Sequence, residues 1–211
     1  MARDEVYLRG IYRAKVLATD AAEEDKLGRV KLEIYPMLIG EETATACGGT
    51  GIPISDLPWA VPAFSLFSGS DSDTGHFAVP DVGSYVFAFF EGADVYQPVY
   101  FAEAPNKLKG LPSERLTDYP DTKVLKTSSG IIVSINQKSG SENVKVEHPS
   151  GSSAEIDPNG DILITGNVII TGNASITGDV TGNNFNSSGI SVDFNTHIHT
   201  GDDGGNTGPP K

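Results

Sequence analysis

Several features that define common protein classes are missing from this sequence of 211 residues. Cys47 is the single cysteine, so a disulfide within the chain is excluded. No histidine lies near it in the sequence, so we do not predict a catalytic thiol. The sequence contains no run of about 18 apolar residues, which is the length that a membrane helix needs. The segment after Met1 also lacks the apolar core of a signal peptide. We therefore expect a soluble protein that is synthesised in the cytosol.

Positive charge and catalytic motifs are also scarce. The chain has 15 Lys and Arg against 28 Asp and Glu, a formal net charge of −13, and no cluster of basic residues. Such a chain repels a phosphate backbone, so we predict that nucleic acid is not a partner. No G-x-S-x-G, Walker or H-E-x-x-H motif is present. We therefore predict that the protein is not an enzyme.

Short segments of alternating apolar residues, with almost all of the aromatics, fill the N-terminal half. Residues 84–90 are apolar on both faces, which is typical of a central barrel strand or of one half inside an interface. Residues 38–58 hold so many Gly and Pro that we predict a long loop there. Five short strands without a helical period predict an all-β fold, with a small closed barrel of the OB type over residues 1–104. The predicted strands are 11–18, 27–36, 59–62, 84–90 and 97–101.

The C-terminal half is thinner. Residues 105–122 have the Pro- and Gly-containing, charged composition of a linker. Short apolar segments bounded by Gly or Ser then predict a meander of strands, with a turn at Asp157-Pro158-Asn159-Gly160. From residue 160 the sequence repeats every six residues as GDILIT, GNVIIT, GNASIT and a frayed GDVT. Gly with Asp or Asn favours a tight corner, and the apolar third and fifth positions share one face.

This repeat has two interpretations. One is a single-chain left-handed β-helix, as in hexapeptide-repeat acyltransferases, which are enzymes. That fold needs roughly three hexapeptides per turn and several stacked turns, whereas this repeat supplies barely one turn. The other is that three chains wind about a common axis and cover each other's apolar residues. We predict the second, an intertwined homotrimeric β-helix shaft over residues 123–195. The side chains that it would cover are Ile162, Ile164, Val168, Ile170 and Ile176.

Two histidines follow the repeat. His197 and His199 lie two positions apart, so in an extended strand they point to the same side. Three chains would bring six imidazoles to one axis, which suits an octahedral ion such as iron(II), with nickel or cobalt possible and four-coordinate zinc less suitable. Residues 196–211 are thus predicted to form a metal-binding tip.

Other titratable residues are predicted to serve no site. The glycines around Asp202 and Asp203 favour a turn in which both carboxylates face water. His76 and His148 are interpreted as isolated surface or interface histidines.

Several segments together resemble a known family. In the N-terminal half these are residues 25–36, 57–62 and 79–94 followed by 97–99. They resemble the OB-fold domain of baseplate assembly protein V, the central spike of contractile phage tails. The pattern His197-x-His199 with Gly205-x-Thr207-Gly208-Pro209-Pro210 is similar to the tip of that spike, where two histidines from each of three chains coordinate iron.

The resemblance implies a homotrimeric needle in the virion, at the tip of a contractile tail tube, assembled in the host cytoplasm. Its OB-fold end would adjoin the tail tube or baseplate hub protein. The tip, with one iron(II) per trimer, would make transient contact with the host outer membrane and puncture it when the sheath contracts. Some relatives carry a lysozyme domain between barrel and shaft, and residues 103–122 leave no space for one. A related spike of a tailocin or secretion particle fits the same pattern.

Overall fold

The computed structural model describes residues 8–65, 73–106 and 111–182. The chain divides into two compact units, residues 1–165 and residues 166–211. The first unit holds a closed barrel and a separate antiparallel sheet. This confirms the all-β prediction and the closed five-stranded barrel. Helical structure in the described ranges is limited to a few short segments.

The barrel closes because its first strand pairs with both the second and the fourth. The order around the barrel is β1-β2-β3-β5-β4. All neighbours are antiparallel except β3 and β5, which run parallel with Val61 opposite Val99. The strands are β1 Tyr12–Thr19, β2 Val30–Ile34, β3 Trp59–Pro62, β4 Tyr85–Phe90 and β5 Pro98–Glu103.

The barrel interior is packed with aliphatic side chains and closed by one tyrosine. Tyr100 is buried, and its phenol donates a hydrogen bond of 2.6 Å to the carbonyl of Gly28. Burial raises the pKa of Tyr100 to about 12. The phenol therefore remains a donor and ties β5 to the turn before β2. The other core residues of the barrel include Ala14, Val16, Val30, Leu32, Ile34, Ala60, Val86, Ala88 and Phe90.

The expectation that residues 38–58 lack regular structure is wrong. They contain a helix, α1 Glu41–Ala46, and a 3-10 turn at Ile54–Asp56. Two acidic residues in the first turn favour α1 through the helix dipole. Its end is a Schellman motif, in which Gly48, at φ 78°, donates to Thr45 O and Gly49 donates to Ala44 O. The glycines that suggested a loop therefore terminate a helix.

The same segment covers the outer face of β2, which explains why every residue of that strand is buried. Glu33 has no exposed surface, and its carboxylate accepts hydrogen bonds from Tyr35 Oη, Gly40 N and Thr43 Oγ1 at 2.7, 3.1 and 3.0 Å. Lys31 Nζ donates to the Ser55 carbonyl at 2.6 Å. Both charged side chains hold the loop onto the barrel.

The second sheet is an antiparallel meander in the order β10-β9-β8-β7-β6. The sequence predicts a meander here but assigns the first hexapeptide to the β-helix. That hexapeptide instead forms β10, which pairs with β9 across the turn at residues 157–160. The strands are β6 Thr122–Lys126, β7 Ile132–Asn136, β8 Asn143–Glu147, β9 Ser153–Ile156 and β10 Ile162–Thr165.

The segment before this sheet has the composition of a linker, yet residues 111–121 contact the sheet. A 3-10 turn at Ser113–Leu116 brings Glu114 to Lys126 of β6 at 2.6 Å. Asp118 forms an ion pair with Lys138 and accepts a hydrogen bond of 2.9 Å from Asn136. Hydrogen bonds from Lys138, and then from Asn136, lower the pKa of Asp118. This stretch is thus fastened to the β6–β7 end of the sheet.

The remaining hexapeptides keep their period without forming strands in residues 166–182. The chain bends at Gly166, at Thr171–Gly172 and at Thr177–Gly178, and every residue of this range is exposed. Gly166 has φ 120°, which favours glycine. Gly172 and Gly178 lie outside the left-handed region, so the backbone does not require glycine at every corner of the repeat.

Candidate assembly surface

The two faces of the five-stranded sheet differ in chemistry. One face carries cross-strand polar contacts that centre on Lys145 of β8. Its ammonium group lies 2.9 Å from Glu147 and 3.8 Å from Glu155, and Asn143 donates to Glu155 at 3.1 Å. The pKa of Lys145 is raised, mainly by its hydrogen bond to Glu147. The charged and amide groups at the centre of this face are paired with one another, and the registers also place Val124, Ile132 and Leu163 on it.

The opposite face, which we call the apolar face, consists of two rows of side chains that run across all five strands. The pairing registers align one residue of each strand in each row. Nine of the ten positions are aliphatic, and Lys123 at the edge strand is the exception. The rows are Leu125, Val133, Val146, Ala154 and Ile164, and Lys123, Ile135, Val144, Ile156 and Ile162.

Most of the apolar face is open to water within one chain. Ile162 is 73 % exposed, Leu125 63 %, and Val146 in the central strand 45 %. Full burial of an aliphatic side chain of this size stabilises by about 1.5–3 kcal/mol, so a half-exposed one forgoes roughly 1 kcal/mol. Monomeric proteins rarely leave so continuous an apolar surface uncovered. The described part of the chain thus presents a continuous apolar surface, which is a candidate for an interaction site.

The second compact unit, taken by itself, also exposes apolar side chains. Val168, Ile169 and Ile170 are 60 %, 88 % and 61 % exposed, and Ile176 is 62 % exposed. The backbone hydrogen bonds of the described residues include none from residues 167–182. Residues with strand-type sequence but no ladder need either water or another chain for their backbone groups.

The metal ligands that the sequence predicts cannot be placed on this surface. His197 and His199 lie outside the described residues, as do Asp202 and Asp203. Residues 8–65, 73–106 and 111–182 contain no group of three or more His, Cys, Asp or Glu that could hold a metal ion. The tip thus stays a prediction from the sequence.

The two other histidines are both exposed, as expected. His76 packs edge-on against Phe64, with ring centroids 6.0 Å apart. His148 lies in the β8–β9 turn, where its Nδ1 is 2.7 Å from Ser150 Oγ and accepts a hydrogen bond of 3.2 Å from Ser150 N. That turn explains His148 without a ligand.

A cavity of about 180 Å³ lies beside α1 and is lined by Glu33, Glu41 and Glu42, among others. The Glu33 carboxylate is already bound by its three donors, so it serves the fold. Cys47, at the end of α1, is exposed. In the part of the chain that the structure describes, no helix is long and apolar enough to cross a membrane.

The place of β10 is the feature of this surface that sequence reasoning missed. A signal for it was present, because the Asp157-Pro158-Asn159-Gly160 turn separates two short alternating segments, which is the pattern of a hairpin. The hexapeptide period, which begins at the same glycine, directed the assignment to the β-helix instead.

These features define a class: an all-β protein with a closed five-stranded barrel and an antiparallel sheet whose apolar face is open. Comparison with known proteins adds nothing more specific. No protein-family model matches the chain, and no curated protein matches it.

Proposed function

We propose that this chain is a non-enzymatic structural protein, the homotrimeric membrane-piercing spike at the tip of a contractile tail tube. The observation that carries the proposal is the open apolar face of the five-stranded sheet. Such a surface suits a protein that reaches its final form only when copies of it assemble. The barrel would have the OB fold of the tail-spike family that the sequence resembles.

Three copies are favoured over two by the hexapeptide repeat. Two sheets could cover their apolar faces as a sandwich, but a repeat of period six is the pattern of a β-helix. Three chains that wind about one axis would cover the apolar residues of the repeat as an intertwined β-helix. The bends at residues 166, 171–172 and 177–178 keep the corners at the spacing such a helix needs. Because a face-to-face dimer also covers the sheet, the mass of the particle in solution distinguishes the two.

The tip of the trimer would hold one iron(II) ion. His197 and His199 from three chains supply six imidazole nitrogens, a donor set that suits an octahedral divalent transition metal. The ion would hold the three C-terminal segments together where the repeat frays. Nickel or cobalt would suit the same donors.

The rest of the particle follows from this assignment. The OB-fold end would join the tail tube or hub protein, in a virion assembled in the host cytoplasm. Three copies would carry a charge of 3 × −13 = −39, which gives little affinity for anionic lipid or nucleic acid. Contact with the host outer membrane would therefore be transient and driven by sheath contraction.

Three measurements test the proposal. Light scattering should give the mass of three chains, and elemental analysis of the same sample should give one metal ion per three chains after dialysis. Immunogold labelling of contractile particles that contain this chain should mark the end of the tube. A metal-free monomer, or label elsewhere on the particle, would contradict the proposal.

The hexapeptide-repeat acyltransferase gains no support from the described residues. Coils of a left-handed β-helix run parallel to each other, whereas β10, the first hexapeptide, pairs antiparallel with β9. No observation favours that enzyme over a structural role.

A further inference from the structure

The outer wall of the barrel carries an aromatic patch that the barrel itself does not need. Along β4 the even-numbered residues point inward and are buried, while Phe87 and Phe89 alternate with them and remain half-buried on the outside. On β5, Phe101 faces the same way and is 40 % exposed, and Val61 of β3 is 43 % exposed. We call Val61, Phe87, Phe89 and Phe101 the outer patch.

The outer patch is ordered by its own contacts. Phe87 and Phe101 stack with ring centroids 6.3 Å apart, and Phe89 lies 6.1 Å from Phe101. Val99 of β5 lies between Val61 and Phe89 in the sheet, opposite both, and is buried. A preformed aromatic surface loses little conformational entropy when a second surface covers it.

The patch lies where the chain leaves the barrel. The guanidinium of Arg13 is 5.1 Å from the Phe87 ring centroid, and its Nη1 donates to the carbonyls of Ala104 and Pro105 at 3.2 and 3.5 Å. Arg13 therefore holds the residues just after β5 beside the aromatic rings. The next element of regular sheet, β6, begins at Thr122.

The size of the patch selects the kind of partner. A fully exposed aromatic side chain presents roughly 150–250 Å², so four partly exposed side chains offer on the order of 300 Å². A stable complex between free proteins usually buries about 800 Å² per partner. A patch of this size is too small to recruit a free protein by itself, but it suffices for a partner that is already tethered nearby.

The barrels of different copies are tethered near each other if the copies associate through their five-stranded sheets. Arg13 holds Ala104 and Pro105 beside the barrel, and residues 111–121 contact the sheet, so only residues 106–110 connect the two. A flexible chain of five residues spans about 12 Å on average. If the copies are joined at their sheets, the effective concentration of one barrel around the next is therefore roughly in the millimolar range.

We infer that the outer patch is the contact between the barrels of neighbouring copies in the assembled trimer. This inference rests on the proposed function, because it requires the sheets to join first. In a three-fold ring the contact is heterologous, so the patch of one copy meets a different surface of the next. The barrels then form a closed ring and do not move independently on their tethers.

The experiment uses the only cysteine as a spin-label site. Cys47 is exposed and lies outside the patch, at the end of α1. Distances between the labels of the full-length assembled protein are measured by pulsed electron paramagnetic resonance, and the mass of each sample is measured by light scattering. Docked barrels should give one narrow distribution of label distances.

The substitutions Phe101→Glu and Val61→Glu, on two different strands, should broaden that distribution about twofold or more, to the width that the tethers permit. The mass should remain that of three chains. Tyr96→Glu is the matched control, since Tyr96 is 76 % exposed in the β4–β5 connection and outside the patch. It should leave the distribution narrow.

The outcomes are distinguishable. A monomer in the unsubstituted protein would refute the proposed function. A trimer with a broad distribution would overturn only the inference, and the patch would then belong to a different protein. A narrow distribution that persists in both Phe101→Glu and Val61→Glu would also overturn it, because the barrels would then dock through another surface.

Discussion

Replacing Val146 by aspartate places a carboxylate at the centre of the apolar face. Val146 belongs to β8, the middle strand, and faces Val133 on one side and Ala154 on the other. It is 45 % exposed in a single chain. The effect of Val146→Asp on stability therefore depends on whether another chain covers this position.

The two cases differ by several kcal/mol. If the face stays in water, the carboxylate is solvated and the change costs about 0.5 kcal/mol or little more, as is usual at surface positions. If three faces meet, each chain loses about 1 kcal/mol of apolar burial. Each also buries an unpaired carboxylate at a cost of several kcal/mol. Together these give about 4 kcal/mol per chain and on the order of 12 kcal/mol per trimer.

The assay is mass by light scattering, followed by guanidinium unfolding at two protein concentrations. We expect Val146→Asp to be monomeric, and the unsubstituted protein to have an unfolding midpoint that rises with concentration. Ser134→Asp is the matched control, because Ser134 lies on the polar face opposite Lys145. A carboxylate at this position stays beside a positive charge and in water. Equal mass and equal midpoints for Val146→Asp and Ser134→Asp would refute the reasoning.

Three further predictions concern the tip, the barrel and the segment before the sheet. The double substitution His197→Ala with His199→Ala should abolish bound metal in elemental analysis; metal retained by that variant would place the site elsewhere. Ultraviolet titration should give Tyr100 a pKa of about 12, against an ordinary value of 10.0. Since the folded-state pKa is the higher one, its stabilisation is complete below pH 10 and is lost as the pH rises through 12. Tyr100→Phe, which leaves the Gly28 carbonyl without its donor, should cost about 1–2 kcal/mol in unfolding experiments, and no cost would contradict the hydrogen bond. Carboxyl carbon NMR should show the Asp118 pKa below its ordinary value. The stabilisation from Asp118 is then present at neutral pH and lost as the pH falls through that lowered pKa. Lys138→Ala should return the pKa toward normal, and an unchanged value would show that Lys138 is not the cause.

Local sequence was sufficient for most of the strands. Alternation in residues 11–18 predicted β1, because one face of the strand is buried and the period of two follows directly. The short run of residues 84–90, apolar on both faces, predicted β4. Helix α1 could not be predicted in the same way. It is only six residues long, and its stability comes from its contact with Glu33 of β2, through Thr43, as well as from its own sequence.

One part of the candidate site could be predicted from the sequence, and the other part could not. His197 and His199 were found as a pair by their spacing, which needs no structure. The apolar face could not be assembled in that way, because Leu125 and Ile164, which share a row, are far apart in the sequence. Only the registers of four successive strand pairs bring them to one side of the sheet.

The sequence by itself determined that the chain is an all-β protein with a glycine-punctuated hexapeptide repeat. Those properties depend on neighbours within a few residues, through strand period and turn geometry. The tertiary structure decided that the first hexapeptide joins the meander as β10, and that nine aliphatic side chains form one open face. It also decided that Phe101 stacks on Phe87 outside the barrel. These outcomes depend on register and strand order, which are set by contacts between residues distant in the sequence.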